Sequence, residues 1–124
     1  METLSKFTLP GILFVLTVAF GFWLSHIGKP YNGLWFNIHK LIALGAVILV
    51  VLRFSSISRP ADSFAFIVGL LVIAALCVIA LFASGALMSA GKLDYALLLT
   101  IHRVAPVLLA LCCALALYFL GRTP

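Results

Sequence analysis

The 124-residue chain contains three histidines, His26, His39 and His102, and two share a local signature: a cation follows at once, giving His39-Lys40 and His102-Arg103. A neutral imidazole has one nitrogen that donates and one that accepts, so it can bridge helices or ligate a metal such as haem iron. A neighbouring Lys or Arg adds a charge able to meet an anion such as a haem propionate, or a quinone carbonyl. All three histidines fall in or at the ends of strongly apolar runs. Ionisable groups are costly inside a membrane, and those found there usually do chemistry.

The elements that hold these residues follow from composition. The chain is 65% hydrophobic and 9% charged, with 8 Lys and Arg against 3 Asp and Glu. A soluble domain is roughly half apolar and about a quarter charged. So few charges cannot cover a water-soluble globule, which leaves lipid as the solvent. At about 20 apolar residues per span, the chain has material for four spans and little else, with no room for a soluble domain. The formal charge of +5 is spread over the turns and helix ends with no basic stretch, so nucleic acid is not an expected partner. Cys77, Cys112 and Cys113 lie inside apolar runs without metal-type spacing and read as small core residues.

Punctuation divides the chain into helices over about 9–27, 34–54, 64–88 and 93–120. Pro10 sits in a first turn, where its missing N–H has no intrahelical partner to lose. Gly28 to Gly33, Ser55 to Ser63 and the stretch around Gly91-Lys92 supply the turns. The first run is expected to be a retained helix, because Leu24 to Gly28 is a poor small-residue cleavage site. Short connections force antiparallel neighbours. The expected architecture is all-α, an integral membrane four-helix up-down-up-down bundle formed as a single transmembrane domain. Lys6, Arg53, Arg59 and Arg122 lie on one side and Lys29 and Lys92 on the other, which predicts cytoplasmic termini. Trp23, Tyr31, Trp35 and Tyr95 gather toward the outer side, as interfacial aromatics do.

This trace brings the histidines to one half of the membrane. His26 closes the first helix at the outer side, and the second and fourth helices both begin there. At ~1.5 Å per residue, His39 lies roughly 8 Å and His102 roughly 13 Å below the expected helix starts. Two imidazoles at similar depth suit a planar cofactor held between them. Ala43, Ala46 and Ala105 leave room for a macrocycle, and Gly85 allows close approach. Pro106 cannot donate to the His102 carbonyl, so a local kink is expected. Only residues 41 to 52 separate Lys40 from Arg53, about 18 Å of helix, so Lys40 must snorkel or find an anion. The inner half is nearly plain hydrocarbon, with no polar residue to continue a path through it, which disfavours a transporter.

Each of these residues also has an ordinary reading. Intramembrane histidines commonly hydrogen-bond between helices. His26 reads as an interfacial residue, or one lining a nearby pocket. Met88 reads as core, Asp94 as a helix-start carboxylate and Lys40 with Arg103 as snorkelling anchors.

Trp35-Phe36-Asn37-Ile38-His39-Lys40, Ser84-Gly85-Ala86-Leu87-Met88 and Leu99-Thr100-Ile101-His102-Arg103 together resemble the cytochrome b561 group of membrane b-type cytochromes, in a small prokaryotic form. The resemblance implies a four-helix haem binder passing electrons among quinones, small reductants or oxidants, and partner proteins, with His39 and His102 as axial ligands. The chain departs from that group in having one histidine pair, where typical members hold two haems on four histidines. The His-Arg pair is also similar to that of succinate dehydrogenase anchor subunits, which have three helices and carry it early in the chain.

The sequence thus predicts a cytochrome of the prokaryotic cytoplasmic membrane with one bis-histidine haem b near the outer face. His39 and His102 ligate the iron, and Lys40, Arg103, Ala43, Gly85 and His26 surround the cofactor. A quinone or redox protein is the expected exchange partner, with a homodimer left open. The alternatives are a cofactor-free structural or anchor subunit, and a quinone-dependent oxidase of a small reductant.

Overall fold

The computed structural model describes residues 2–28, 30, 33–58, 61–122. Lys29, Tyr31 and Arg59, used above for orientation and the aromatic belt, lie outside the described residues. The described chain is helical from end to end: α1 (Glu2–Lys6), α2 (Thr8–Ile27), α3 (Gly33–Ser55), a short 3₁₀ turn (Ala61–Ser63), α4 (Phe64–Ser89) and α5 (Tyr95–Gly121). The four expected spans agree with α2 to α5 to within one or two residues. The fold class is all-α, with four apolar helices long enough to cross a bilayer.

The helices show why water is the wrong solvent. Val15, Leu76 and Val107 are each more than 60% exposed, and each sits in the middle of a span. A helix apolar on every side has no face to give to water and belongs in a bilayer. In lipid, each backbone N–H and C=O must find its partner within the chain, which the helical ladder provides except where Pro106 lacks an N–H for the His102 carbonyl.

Two compact units divide the chain, Met1–Ser58 and Arg59–Pro124, and each is an antiparallel helical hairpin. In the first, α2 packs on α3. Phe7 meets Phe54 at 4.8 Å between ring centroids at the termini end, and Phe20 stacks on Trp35 at 5.8 Å toward the turn. In the second, α4 presents Ile67, Leu70, Ala74, Cys77, Ser84 and Met88, and α5 presents Leu98, Ala105, Cys112, Ala116 and Leu120. These positions recur every three, four or seven residues, as a helix–helix seam requires. Many are small, which lets the backbones approach and maximises the dispersion contact that replaces the hydrophobic effect in lipid. The three cysteines are free thiols, two of them buried in this seam, in line with their reading as core residues.

The α4–α5 turn explains the boundary that differs most from expectation. Gly91 adopts φ 68°, its N–H bonds the Met88 carbonyl at 3.3 Å, and the Lys92 N–H bonds the Leu87 carbonyl at 3.1 Å. This is a Schellman closure of α4. Leu93 is also left-handed at φ 62°, a conformation that cannot continue into a helix. Asp94 then caps α5 by accepting from the Ala96 N–H at 3.2 Å. The helix therefore starts at Tyr95 rather than Leu93, and Asp94 is the helix-start carboxylate of its ordinary reading. Beyond it, α5 stays helical through Pro106.

Candidate functional site

The later helix start changes the depth of His102. His39 is six residues beyond the start of α3 and His102 seven beyond the start of α5. Each ring therefore lies about 9–10 Å into its own helix. Both side chains are half-buried inside their hairpins.

Each ring rests on a glycine of the facing helix. A Cβ built on Gly21 would stand 3.1 Å from His39 Cε1, and one on Gly85 would stand 3.3 Å from His102 Cε1. Any larger residue at either place would press on the imidazole. The backbone just before each glycine completes the arrangement. His102 Nδ1 lies 3.1 Å from the Leu81 carbonyl oxygen, and the Thr17 backbone neighbours His39. Thr17 precedes Gly21 by four residues, and Leu81 precedes Gly85 by four. Helix carbonyls point toward the C-terminus, so the residue four positions on normally shields the oxygen with its side chain. A glycine there removes the shield and opens the second lone pair to a donor from a neighbouring helix.

Both hairpins thus repeat one arrangement, a glycine on the first helix with a histidine of the second packed on it; in the second hairpin the Leu81 carbonyl, one turn before the glycine, also meets the ring. Gly85, expected to allow close approach at the cofactor, faces the His102 ring in the structure. Gly21, Thr17 and Ser84 carry equal weight in the geometry and were not singled out by type. The available signal was spacing: Gly21 precedes His39-Lys40 by 18 residues, and Gly85 precedes His102-Arg103 by 17.

His102 has a further neighbour. Ser84, 3% exposed, lies with its Oγ 2.9 Å from His102 Nδ1 and donates to the Leu81 carbonyl at 3.1 Å. A carbonyl oxygen can only accept, so the Nδ1 beside it carries the ring proton. That places the lone pair on Nε2, the nitrogen arrangement of a ligand whose other N–H is anchored by the protein.

The remaining site residues fall around these centres. Ala43 is half-buried one turn beyond His39, while Ala46 and Ala105 are buried. Lys40 is exposed, its Nζ lying 5.4 Å from the Phe36 ring centroid on its own helix. This cation–π contact gives the ammonium a local partner. Arg103 is exposed. His26 is exposed in the last turn of α2, five residues beyond Gly21. Five positions turn a helix by roughly 140°, so His26 leaves α2 on a different side from the glycine that supports His39. Met88 is buried in the α4–α5 seam. Among the described residues, no group of three or more His, Cys, Asp or Glu side chains gathers to hold a metal ion.

No family model, curated protein or solved structure matches the chain.

Proposed function

We propose that this chain is a membrane-embedded b-type cytochrome, a four-helix bundle binding one haem b through His39 and His102. The observation that supports the reading is that the two imidazoles, each half-buried in an apolar hairpin, are each set against a glycine of the facing helix, with His102 also held at the Leu81 carbonyl. These residues fit haem on three counts. The ligand chemistry is two imidazoles, each ring packs on a glycine where a Cβ would press on it, and His102 is held by Nδ1 with its lone pair on Nε2. Bound haem supplies one-electron redox chemistry at its iron.

What the chain itself does is bind, orient and exclude water. The Leu81 carbonyl holds the His102 ring, Gly21 seats the His39 ring, and the apolar helices keep the region dry. Lys40 and Arg103 place positive charge one residue from each ligand, where a propionate or a quinone carbonyl would be met. The exchange partner on this reading is a quinone or redox protein at that end of the bundle. The chain sits in a prokaryotic cytoplasmic membrane with both termini cytoplasmic.

A second reading is favoured by one observation. The Ser84–His102–Leu81 hydrogen bonds are also what a cofactor-free structural or anchor subunit would use to join two helices. An absorption spectrum of protein purified from haem-replete cells separates the two. Low-spin haem bands that disappear in both His39→Ala and His102→Ala support the cytochrome. A colourless wild-type preparation, or full haem retention in both variants, overturns it.

A further inference from the structure

The two hairpins share one frame but differ in the residue before the glycine. In the first it is Phe20, whose ring stacks on Trp35. In the second it is Ser84, whose hydroxyl lies against the imidazole. We propose that Ser84 is a positioning residue that holds His102 in a single Nδ1–H tautomer and makes the two imidazoles chemically inequivalent.

The hydrogen atoms can be assigned from the acceptors. Ser84 Oγ and His102 Nδ1 both approach the Leu81 carbonyl, at 3.1 Å each, and approach each other at 2.9 Å. If the hydroxyl gives its proton to the carbonyl, its lone pairs face Nδ1, and the Nδ1 proton is shared between two acceptors. The reverse tautomer would set an Nδ1 lone pair against the carbonyl oxygen at the same distance. Ser84 thereby strengthens the anchoring that the carbonyl begins, and an imidazole N–H given to two acceptors makes Nε2 a more electron-rich ligand. Phe20 has no oxygen with which to do this for His39. Burial adds to the argument: an unmatched hydroxyl inside a span is costly, and this one is matched by the histidine and the carbonyl together.

The consequence for a ligated iron rests on the cytochrome reading, whereas the tautomer does not. The test therefore has two parts. ¹⁵N-histidine spectra of the full-length protein in micelles without haem, with His102→Gln used to assign His102, read the tautomer directly. The wild type is expected to show one His102 species with a slowly exchanging Nδ1 proton. Ser84→Ala should speed that exchange roughly fivefold, the equivalent of one hydrogen bond of about 1 kcal/mol. It should also admit the second tautomer, and Ser84→Thr should restore the wild-type signal. If Ser84→Ala does not accumulate, Ser84→Cys replaces it, since a thiol is a weak acceptor and should give the same loosening. Wild-type exchange in the variant overturns the proposal. In haem-loaded protein, loss of the hydroxyl should raise the midpoint potential, with Ser84→Thr returning it. A wild type that shows the tautomer but takes up no haem defeats the cytochrome reading and leaves the role of Ser84 intact. Bound haem whose potential and His102 signal both ignore Ser84→Ala defeats the role of Ser84.

Discussion

Adding a single methyl group at Gly21 tests whether the glycine–imidazole packing shapes the hairpin. Carbon atoms in contact rest about 3.5–4.0 Å apart. An alanine Cβ at Gly21 would stand 3.1 Å from His39 Cε1, and at Gly85 3.3 Å from His102 Cε1. The shortfalls are therefore at least ~0.4 Å and ~0.2 Å. The same structure supplies its own controls, because Gly45 on α3 and Gly69 on α4 have nothing within 4 Å of a built Cβ. All four lie inside long helices, so alanine gains about 1 kcal/mol of helix propensity at each. Overpacking costs roughly 1–3 kcal/mol where the neighbours are tightly set.

The expected result is a split within each hairpin. Gly45→Ala and Gly69→Ala should stabilise by up to about 1 kcal/mol. Gly21→Ala and Gly85→Ala should fall between neutral and a loss of about 2 kcal/mol. Comparing Gly21 with Gly45, and Gly85 with Gly69, cancels the propensity gain and leaves the clash. Distance ranks Gly21 as the more crowded, while the two hydrogen bonds of His102 rank Gly85 as the stiffer. The steep repulsive wall makes distance the stronger factor, so Gly21→Ala should lose more. Reversible unfolding of the full chain in mixed micelles under a denaturing detergent titration measures all four. The reasoning is refuted if Gly21→Ala is as stabilising as Gly45→Ala.

Two further substitutions test the fold. Asp94→Ala removes the carboxylate that caps α5 and should lower stability by about 1 kcal/mol in the same titration, with Asp94→Ser retaining most of it; equal values for Ala and Ser would show the cap to be idle. Ile67 is fully buried in the α4–α5 seam, and Ile67→Ala should cost near the lower end of the roughly 2–5 kcal/mol known for soluble cores, because lipid is as apolar as the seam and only lost packing counts; a loss above that range would mean a solvent other than lipid.

The spans were legible because a bilayer fixes the length of an apolar run, and the chain has little else. The start of α5 was less so. Leu93 is apolar and continues the hydropathy pattern, but its left-handed backbone is set by the turn that Gly91 opens, so the helix waits for the Asp94 cap. The histidines were legible as the rare ionisable groups in lipid-length helices. Their partners were not. Thr17, Gly21, Leu81 and Ser84 sit in helices that are apolar all round, where no polar face indicates which side meets the neighbour. Hairpin register decides that, and it is set by the packing of Phe20 on Trp35, Phe7 on Phe54 and Phe66 on Phe119 rather than by a local signal.

The repeated device follows from what lipid demands of an imidazole. In water, a half-buried ring can complete its hydrogen bonding with solvent, but inside a bilayer the partner must come from the protein. A helix has few partners to offer, since its N–H groups are committed to the ladder and its carbonyls are covered by side chains. The carbonyl keeps a second lone pair, however, and a glycine four residues on uncovers it. The same missing side chain provides space for the ring to reach that oxygen. Space and hydrogen bond thus come from one residue where Gly85 meets His102, while Gly21 is tied to His39 by close packing. An alanine at Gly85 should therefore loosen the ring's backbone hydrogen bond as well as crowd it. Faster exchange of the Nδ1 proton in Gly85→Ala, with Ser84 left in place, would show the carbonyl to be the primary anchor. Unchanged exchange in a destabilised Gly85→Ala would assign the glycine to packing alone.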